Sequence, residues 1–275
     1  MKTLATGPLE KMRTTHQTPV EYHLRVGDEQ VLVNDLLGQP IQLTFLGEIT
    51  CTHCGRKTKK SFNQGYCFPC LKKLAQCDSC IISPEKCHYH EGTCREPEWA
   101  DKYCMQEHFV YLANSSGIKV GITRGNQVPT RWMDQGAVQA LPIARVTTRR
   151  MSGLVEVALK KHVRDKTDWR AMLKGKAETV DLGKKWQELH DEVSDDVAQL
   201  QNEFGSDSIE LIDDGKHYEF EYPVLEHPGK VKTHNFDKEP LVEGTLNGIK
   251  GQYLILDTGV LNVRKFTSYH VEVRA

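Results

Sequence analysis

The sequence predicts an α+β protein in which strands from both ends of the chain form one small β-barrel around inserted segments. Residues 20–49 contain apolar residues that alternate with polar ones, the pattern of half-buried strands. Residues 241–263 contain short β-type runs, and Asn247-Gly248 is a favourable hairpin turn between two of them. Neither end has enough strands to bury a core alone, so we expect the two ends to pair with each other.

The chain divides into five expected segments. Its 275 residues exceed one average domain, and 39% hydrophobic with 27% charged residues is typical of a globular protein with a substantial core. The expected segments are N-terminal β-strands at 1–49, a cysteine-rich module at 50–108, an α/β module at 109–176, an acidic helical segment at 177–222, and C-terminal β-strands at 223–275 that pair with the N-terminal region.

Hydropathy argues against a membrane protein. No stretch approaches the roughly 18 consecutive apolar residues that a membrane span requires. The N-terminus from Met1 to Pro8 lacks the apolar region of a secretory signal. We therefore expect a cytoplasmic protein with no membrane partner, whose nine cysteines are metal ligands rather than disulfides.

Charge is segregated along the chain, although the formal net charge is only −1. Residues 51–76 contain six Lys/Arg and no Asp/Glu, and residues 119–176 contain thirteen Lys/Arg against four Asp/Glu. Residues 178–222 reverse the sign, with fourteen Asp/Glu and three Lys. A basic footprint of this kind is suited to face phosphates. The alternative is that two solvated surfaces of opposite sign attract each other.

Two Cys-x2-Cys pairs, Cys51/Cys54 and Cys67/Cys70, are separated by twelve residues. Each pair forms a tight knuckle that presents two thiolates to one ion, and Zn²⁺ prefers four such ligands in a tetrahedron. Four thiolates leave no open position on the ion for a substrate. The spacing therefore predicts a structural zinc site and a zinc-knuckle module.

A second structural zinc site is expected immediately downstream. Cys77 and Cys80 form a third Cys-x2-Cys pair, and we expect Cys94 and Cys104 to complete its tetrahedron. The alternate ligands are Cys87, His90 and His108. The expected cofactor is thus Zn²⁺, bound at two sites.

A hairpin, an arginine and a helix with a glutamate follow the cysteines. Val110-Tyr111-Leu112 lies on one predicted strand, and Lys119-Val120-Gly121-Ile122-Thr123 lies on the next. Pro129 opens a short helix that carries Arg131, and a later helix carries Glu156. This order resembles the GIY-YIG nuclease fold over residues 109–173. The whole chain resembles a bacterial family of unknown function in which such a module follows a cysteine-rich one.

The resemblance implies a role for each matching residue. Tyr111 falls at the tyrosine that helps to activate or orient the attacking water, and Arg131 falls at the arginine that stabilises charge on the phosphate. Glu156 falls at the carboxylate that holds one divalent ion, Mg²⁺ or Mn²⁺. An activated water, a cation on the phosphate and a metal ion are the requirements of phosphodiester cleavage.

The sequence departs from the GIY-YIG pattern at its second motif. Lys119 stands where the second tyrosine is expected, whereas Gly121 matches the glycine. Gln135 stands where some members have a histidine or a tyrosine. These departures leave phosphate binding intact and favour the alternative of a module without catalysis. Taken singly, Tyr111 also fits a packed strand residue, and Glu156 fits an i,i+4 ion pair with Lys160.

Other features point to partners. The further candidate nucleic-acid-binding residues are Arg124, Arg145, Arg149, Arg150 and Lys160. Apolar residues between Trp186 and Phe204 recur at spacings of three and four, which predicts one amphipathic helix over 184–204. We expect its apolar stripe to pack on the protein's own core and its acidic face to be available to a protein partner.

These observations together predict a zinc-stabilised protein that binds DNA or RNA and has the parts of a divalent-metal-dependent endonuclease of GIY-YIG type. One alternative is a DNA- or RNA-binding module that performs no chemistry. The other is a zinc-dependent adaptor for protein–protein interactions.

Overall fold

The computed structural model describes residues 1–163, 166–175 and 177–275 and has the expected α+β composition. The strands are β1 (Thr3–Pro8), β2 (Arg13–Thr15), β3 (Glu21–Val26), β4 (Glu29–Leu32), β5 (Pro40–Ile49), β6 (His108–Asn114), β7 (Ile118–Arg124), β8 (Gln139–Val146), β9 (Ile209–Leu211), β10 (Tyr218–Glu219), β11 (Leu241–Lys250), β12 (Tyr253–Leu256), β13 (Gly259–Asn262) and β14 (Tyr269–Arg274). The α-helices are α1 (Phe68–Lys73), α2 (Pro97–Tyr103), α3 (Thr130–Asp134), α4 (Arg149–Leu159), α5 (Trp169–Lys174) and α6 (Leu182–Phe204).

Strands from both ends of the chain meet in a six-stranded antiparallel sheet with the order β1-β14-β5-β11-β12-β13. β14 lies between β1 and β5, so that Val273 pairs with Ala5 on one side and with Leu43 on the other. Alternate residues of β14 are buried, because successive side chains of a strand point to opposite faces and one face covers the apolar core.

The expected closed barrel is wrong, because this sheet is open over the residues that the structure describes. Its order begins at β1 and ends at β13, and β2, β3 and β4 form a separate three-stranded sheet. The alternating run after residue 20 turns back at Gly27, and its two halves pair with each other as β3 and β4. These strands are therefore not available to bridge the two edges of the larger sheet.

A five-stranded sheet carries the module that follows the cysteines. β6 lies between β7 and β8, and β8 also pairs with β9 and β10. Val110 and Leu112 of β6 belong to an apolar core with α4 and α6, whereas Tyr111 and Ala113 belong to the core of the six-stranded sheet. β6 is thus packed on both faces and joins the two cores. The resemblance of this module to the GIY-YIG fold stays a prediction.

The predicted amphipathic helix is confirmed as α6. Asp181 caps its N-terminus, where the carboxylate Oδ1 accepts a hydrogen bond of 2.8 Å from the backbone N–H of Lys184. The buried stripe of α6 consists of Leu182, Trp186, Leu189, Val193 and Val197. This stripe packs in one core with residues of α4 and β8. None of the described helices has the length and apolar character needed to cross a membrane.

Candidate functional site

The four cysteines of the first predicted zinc site form one compact cluster. Cys51 follows β5, Cys67 precedes α1 and Cys70 lies within α1. The Sγ atoms of Cys51, Cys54, Cys67 and Cys70 all lie within 4.8 Å of one another, and those of Cys54 and Cys67 are 3.7 Å apart. The backbone N–H of Gly55 donates to Cys51 O at 2.9 Å, which closes the first knuckle.

The thiols of this cluster affect one another's protonation. Burial opposes a charge on Cys51, but the backbone N–H groups of Cys54, Cys67 and His53 favour it, and the net effect lowers the pKa of Cys51 to about 6. Burial, followed by hydrogen bonds with the other three thiols, raises the pKa of Cys70. Four soft sulfur donors at this spacing match the preference of Zn²⁺ and leave no open coordination position. The cluster can therefore hold one structural zinc ion.

The second zinc site, expected at Cys77, Cys80, Cys94 and Cys104, stays a prediction. Cys77 packs against the first cluster, in contact with the group that contains Cys51, Cys67 and Cys70. A second group of donor atoms within 4.8 Å of one another, among the described residues, is Asp78, Cys80 and His88. Of the alternate ligands, His90 is exposed with its Nδ1 3.3 Å from Arg150, and buried His108 has its Nδ1 2.7 Å from Gln106 O.

Tyr111 and Lys119 meet at one amide oxygen. The Tyr111 hydroxyl donates to Gln135 Oε1 at 3.1 Å, and Lys119 Nζ donates to the same oxygen at 2.9 Å. Tyr111 pairs with Gly121 across β6 and β7, and a Cβ on Gly121 would lie 2.7 Å from the Tyr111 hydroxyl. Glycine at this position therefore lets the tyrosine ring lie across β7.

The charges of Arg131 and Glu156 also act on this tyrosine. Burial raises the pKa of Tyr111, the charge of Arg131 and its hydrogen bond to the hydroxyl oppose that shift, and the charge of Glu156 adds to it. Glu156 is buried on α4, and its Oε2 lies 3.2 Å from Lys160 Nζ. The structure thus brings Tyr111, Lys119, Arg131 and Glu156, the residues implied by the resemblance, into one neighbourhood.

The charge of Arg131 acts on two other arginines, Arg149 and Arg264. Burial, and further the positive charge of Arg131, lowers the pKa of Arg149 and of Arg264. Arg149 begins α4, and its Nη2 donates to Ile81 O at 2.6 Å. Arg264 follows β13, and its Nε donates to Gln64 Oε1 at 2.5 Å. We define Arg131 and the two arginines on which its charge acts, Arg149 and Arg264, as the arginine cluster; its members come from three separate parts of the chain.

A polar cleft of about 420 Å³ adjoins the arginine cluster. Its walls come from the N-terminal segment, the four-cysteine module (the segment around Cys51, Cys54, Cys67 and Cys70) and the turn after β13. They include Lys11, Gln64, Ile81 and Arg264. Lys11 Nζ is 2.5 Å from Asp134 Oδ2. Asp134 lies on α3, the helix that also carries Arg131. The cleft and the arginine cluster thus share Arg264, and Ile81, whose carbonyl accepts the hydrogen bond from Arg149, also lines the cleft.

The other basic residues predicted from the sequence are engaged outside this cleft. Arg145 Nε donates to Glu210 at 2.8 Å, and its Nη1 lies 3.6 Å from Glu107. Arg124 stacks over Tyr103 at 5.0 Å and Arg150 over Phe204 at 5.2 Å. Lys160 pairs with Glu156, as described above.

The sequence matches one family over most of its length. The family described as "Protein of unknown function (DUF2797)" matches residues 38–271. The chain belongs to this family. No curated protein and no solved structure matches the chain.

In this DUF2797 chain, sequence reasoning missed Arg264 and the central position of Gln135. Arg264 lies in the C-terminal strand region, far along the chain from the other two arginines, and no local spacing connects it to them. Gln135 was visible as a departure from the GIY-YIG pattern, and the structure places it as the shared acceptor of Tyr111 and Lys119.

Proposed function

We propose that this protein is a zinc-stabilised nucleic-acid-binding protein whose arginine cluster contacts the phosphate backbone. The convergence of Arg131, Arg149 and Arg264 carries this proposal. Like charges that are partly removed from water disfavour one another, and the charge of Arg131 opposes the charged forms of both neighbours. A bound phosphate between them offsets that cost, and the planar guanidinium group is suited to phosphate oxygens.

The polar cleft supplies a path for the rest of the strand. Lys11 and Arg264 line its walls together with the acidic Glu10, and Asn63, Gln64 and Gln76 offer neutral polar groups. The four-cysteine module forms one of these walls, so a zinc ion bound there would stabilise part of the binding surface. The basic composition of residues 51–76 and 119–176 agrees with a nucleic-acid ligand.

Equilibrium binding to labelled oligonucleotides tests this proposal. Fluorescence anisotropy is measured with single-stranded and duplex DNA and RNA, at several salt concentrations from about 50 mM upward, since phosphate contacts weaken steeply with salt. Arg131→Ala is expected to weaken binding about 10-fold and to reduce the slope of log K against log[salt] by about 1.

Arg145→Ala is the matched control, because Glu210 and Glu107 already pair with that exposed guanidinium. Its binding constant is expected to stay within about twofold of the unmodified protein, in keeping with the small energies of exposed ion pairs. An unmodified protein that binds none of the oligonucleotides at low salt contradicts the proposal and favours the protein adaptor.

Phosphodiester cleavage is a second candidate function, and the meeting of Tyr111, Arg131 and Glu156 favours it. In this reaction water attacks phosphorus, the bond to the leaving oxygen breaks, and the leaving oxygen takes up a proton. Arg131 would stabilise the charge on the phosphate, and the Tyr111 hydroxyl would orient the water. Glu156 would hold Mg²⁺ or Mn²⁺, which stabilises the leaving oxygen when bound.

A cleavage assay with Mg²⁺ or Mn²⁺ separates this enzyme from a binding module without chemistry. Glu156→Gln is expected to lower the cleavage rate at least about 100-fold while binding is retained, since it removes the charge that would hold the metal and keeps the size of the side chain. Lys160→Ala is the control for loss of the Glu156–Lys160 ion pair. Equal rates for the Glu156→Gln variant and the unmodified protein would leave only the binding function.

A further inference from the structure

A carboxylate, a thiol and an imidazole meet beside the four-cysteine module. Asp78 precedes the helical turn Ser79–Ile81, which contains Cys80, and His88 follows the turn Pro84–Lys86. One donor atom from each side chain lies within 4.8 Å of the donor atoms of the other two. Carboxylate oxygen, thiolate sulfur and imidazole nitrogen are the donor types that Zn²⁺ binds in proteins. We propose that Asp78, Cys80 and His88 bind a second zinc ion, in place of the second four-cysteine site expected from the sequence.

The distance between His88 and Asp78 fits two ligands of one ion better than a direct hydrogen bond. His88 Nε2 lies 3.6 Å from Asp78 Oδ2, which is too far for an effective hydrogen bond between them. Zinc bonds to nitrogen and oxygen are about 2.0–2.2 Å long, and tetrahedral angles then place the two donor atoms about 3.3–3.6 Å apart. A shared zinc ion therefore requires little change in the separation of these two atoms.

The hydrogen bonds of Thr93 assign to His88 the tautomer that binds a metal through Nε2. The Thr93 hydroxyl donates to His88 O at 3.2 Å, so its oxygen accepts from the ring atom Nδ1, which lies 2.7 Å away. Nδ1 then carries the proton of the neutral ring, and Nε2 keeps the lone pair. Histidines that bind metals commonly donate from their second ring nitrogen to an oxygen in this way.

Asp78 has the partners that orient a metal-binding carboxylate. The residue is 9% exposed, its Oδ2 lies 2.7 Å from Arg95 Nε, and its Oδ1 accepts a hydrogen bond of 3.1 Å from the Ser79 hydroxyl. An ionised carboxylate offers about four lone pairs, so these two contacts leave acceptor capacity for a metal. Arg95 Nη1 also donates to Leu71 O at 3.1 Å. Arg95 thus connects the proposed site to α1, the helix that carries Cys70 of the first cluster.

The proposed ion would stabilise a segment that has almost no apolar core of its own. Apart from Pro84, no apolar side chain is buried among the described residues between Ala75 and Ala100. A small segment of this kind needs another source of stability, and a bound metal is one. Three protein ligands leave the fourth tetrahedral position for a water molecule, which distinguishes this site from the closed cluster of four cysteines.

The turn that carries Cys80 also supports the arginine cluster. Arg149 Nη2 donates to Ile81 O at 2.6 Å, and Ile81 lines the polar cleft. A metal bound to Cys80 would therefore hold the acceptor of Arg149 in place. The inference itself does not rest on nucleic-acid binding, because the number of bound ions and the identity of their ligands are its direct consequences.

Metal analysis of the full chain tests both the second ion and its ligands. Elemental mass spectrometry of the zinc-loaded protein should give about two zinc ions per chain. Zinc X-ray absorption should then report about 2.5 sulfur ligands per ion on average, because one site has four thiolates and the other has one. An average of about four sulfurs would overturn the ligand set. A single ion per chain would overturn the site and leave Arg95, Asp78 and His88 as an ion-pair network without metal.

Two histidines that lie two residues apart provide the matched comparison. His88→Gln removes the imidazole ligand and should lower the zinc content to about one ion per chain, whereas His90→Gln, at an exposed position, should keep about two. Retention of two ions by His88→Gln contradicts the proposal, and so does loss of an ion in Cys94→Ser. Should His88→Gln fail to fold, the absorption spectrum of the unmodified protein decides alone. Oligonucleotide binding can fail without changing any of these outcomes.

Discussion

The four-cysteine module and the five-stranded module that follows it are stabilised in different ways. The buried cluster of the first consists of Cys51, Cys67, Cys70 and Leu74, with Tyr66 and Cys77 packed against it. The second buries apolar side chains from β6, β8, α4 and α6 in one continuous core. Apolar burial stabilises a structure in proportion to the area removed from water, so the first module obtains little from it.

The difference explains where the arginine cluster is located. A metal-bound module can hold an irregular, polar surface in place without an apolar interior, and such a surface lines the cleft at Gln64 and Gln76. The sheet module supplies rigid elements for Arg131 and Arg149. The proposed binding surface would thus combine a wall stabilised by zinc with a wall stabilised by an apolar core.

Loss of the first zinc site should have the largest effect, and it should destabilise the four-cysteine module while the five-stranded module stays folded. Zinc binding contributes on the order of 10 kcal/mol to folding in small zinc modules. Cys51→Ser is expected to remove about one zinc ion per chain and to increase amide hydrogen exchange over residues 51–74, while β6 and β8 stay protected. Hydrogen-exchange mass spectrometry measures this. Equal deprotection of both modules would show that they unfold as one unit.

A cavity in the core of the five-stranded module should lower stability without loss of zinc. Leu189 of α6 is 2% exposed within the core. Leu189→Ala is expected to lower the free energy of unfolding by about 2–5 kcal/mol, since the lost transfer energy and the cavity both cost stability. Urea denaturation measures the change, and zinc content should stay the same. Zinc loss in this variant would argue against separate modes of stabilisation.

Overpacking at Gly121 should cost less stability than the cavity at Leu189, and it should displace Tyr111. A methyl group there would lie 2.7 Å from the Tyr111 hydroxyl and 2.8 Å from its Cζ. Gly121→Ala is expected to lower the free energy of unfolding by about 1–3 kcal/mol, because the tyrosine must move. Gly229→Ala is the control, with no atom within 4 Å of the added Cβ. If thermal denaturation shows equal effects for both, Tyr111 is more adaptable than its packing indicates.

The smallest expected effect concerns the cap of α6. Asp181→Ala removes the acceptor for Lys184 N–H and should cost about 1 kcal/mol. Asp195→Ala, at an exposed position within the same helix, should be neutral or slightly stabilising because alanine favours helices. Urea denaturation of the two variants compares them, and a larger loss for Asp195→Ala than for Asp181→Ala would contradict the capping role.

The sequence determined the features that depend on local spacing. Two Cys-x2-Cys pairs specify two knuckles, and the stripe from Trp186 to Val197 specifies one helix face, because residues three or four apart meet regardless of the rest of the fold. Local spacing also predicted the strands that carry Tyr111 and Gly121, because a short hairpin sets their pairing.

The tertiary structure decided every feature that joins distant parts of the chain. It opened the expected barrel into separate sheets, placed Cys77 on the first cysteine cluster, and brought Arg264 to Arg131. Pairing between distant strands and contact between distant side chains depend on which surfaces pack together, and residue spacing contains no information about that choice. The cysteine spacing therefore predicted a zinc module, whereas the fold determined which arginines and which cleft lie beside it.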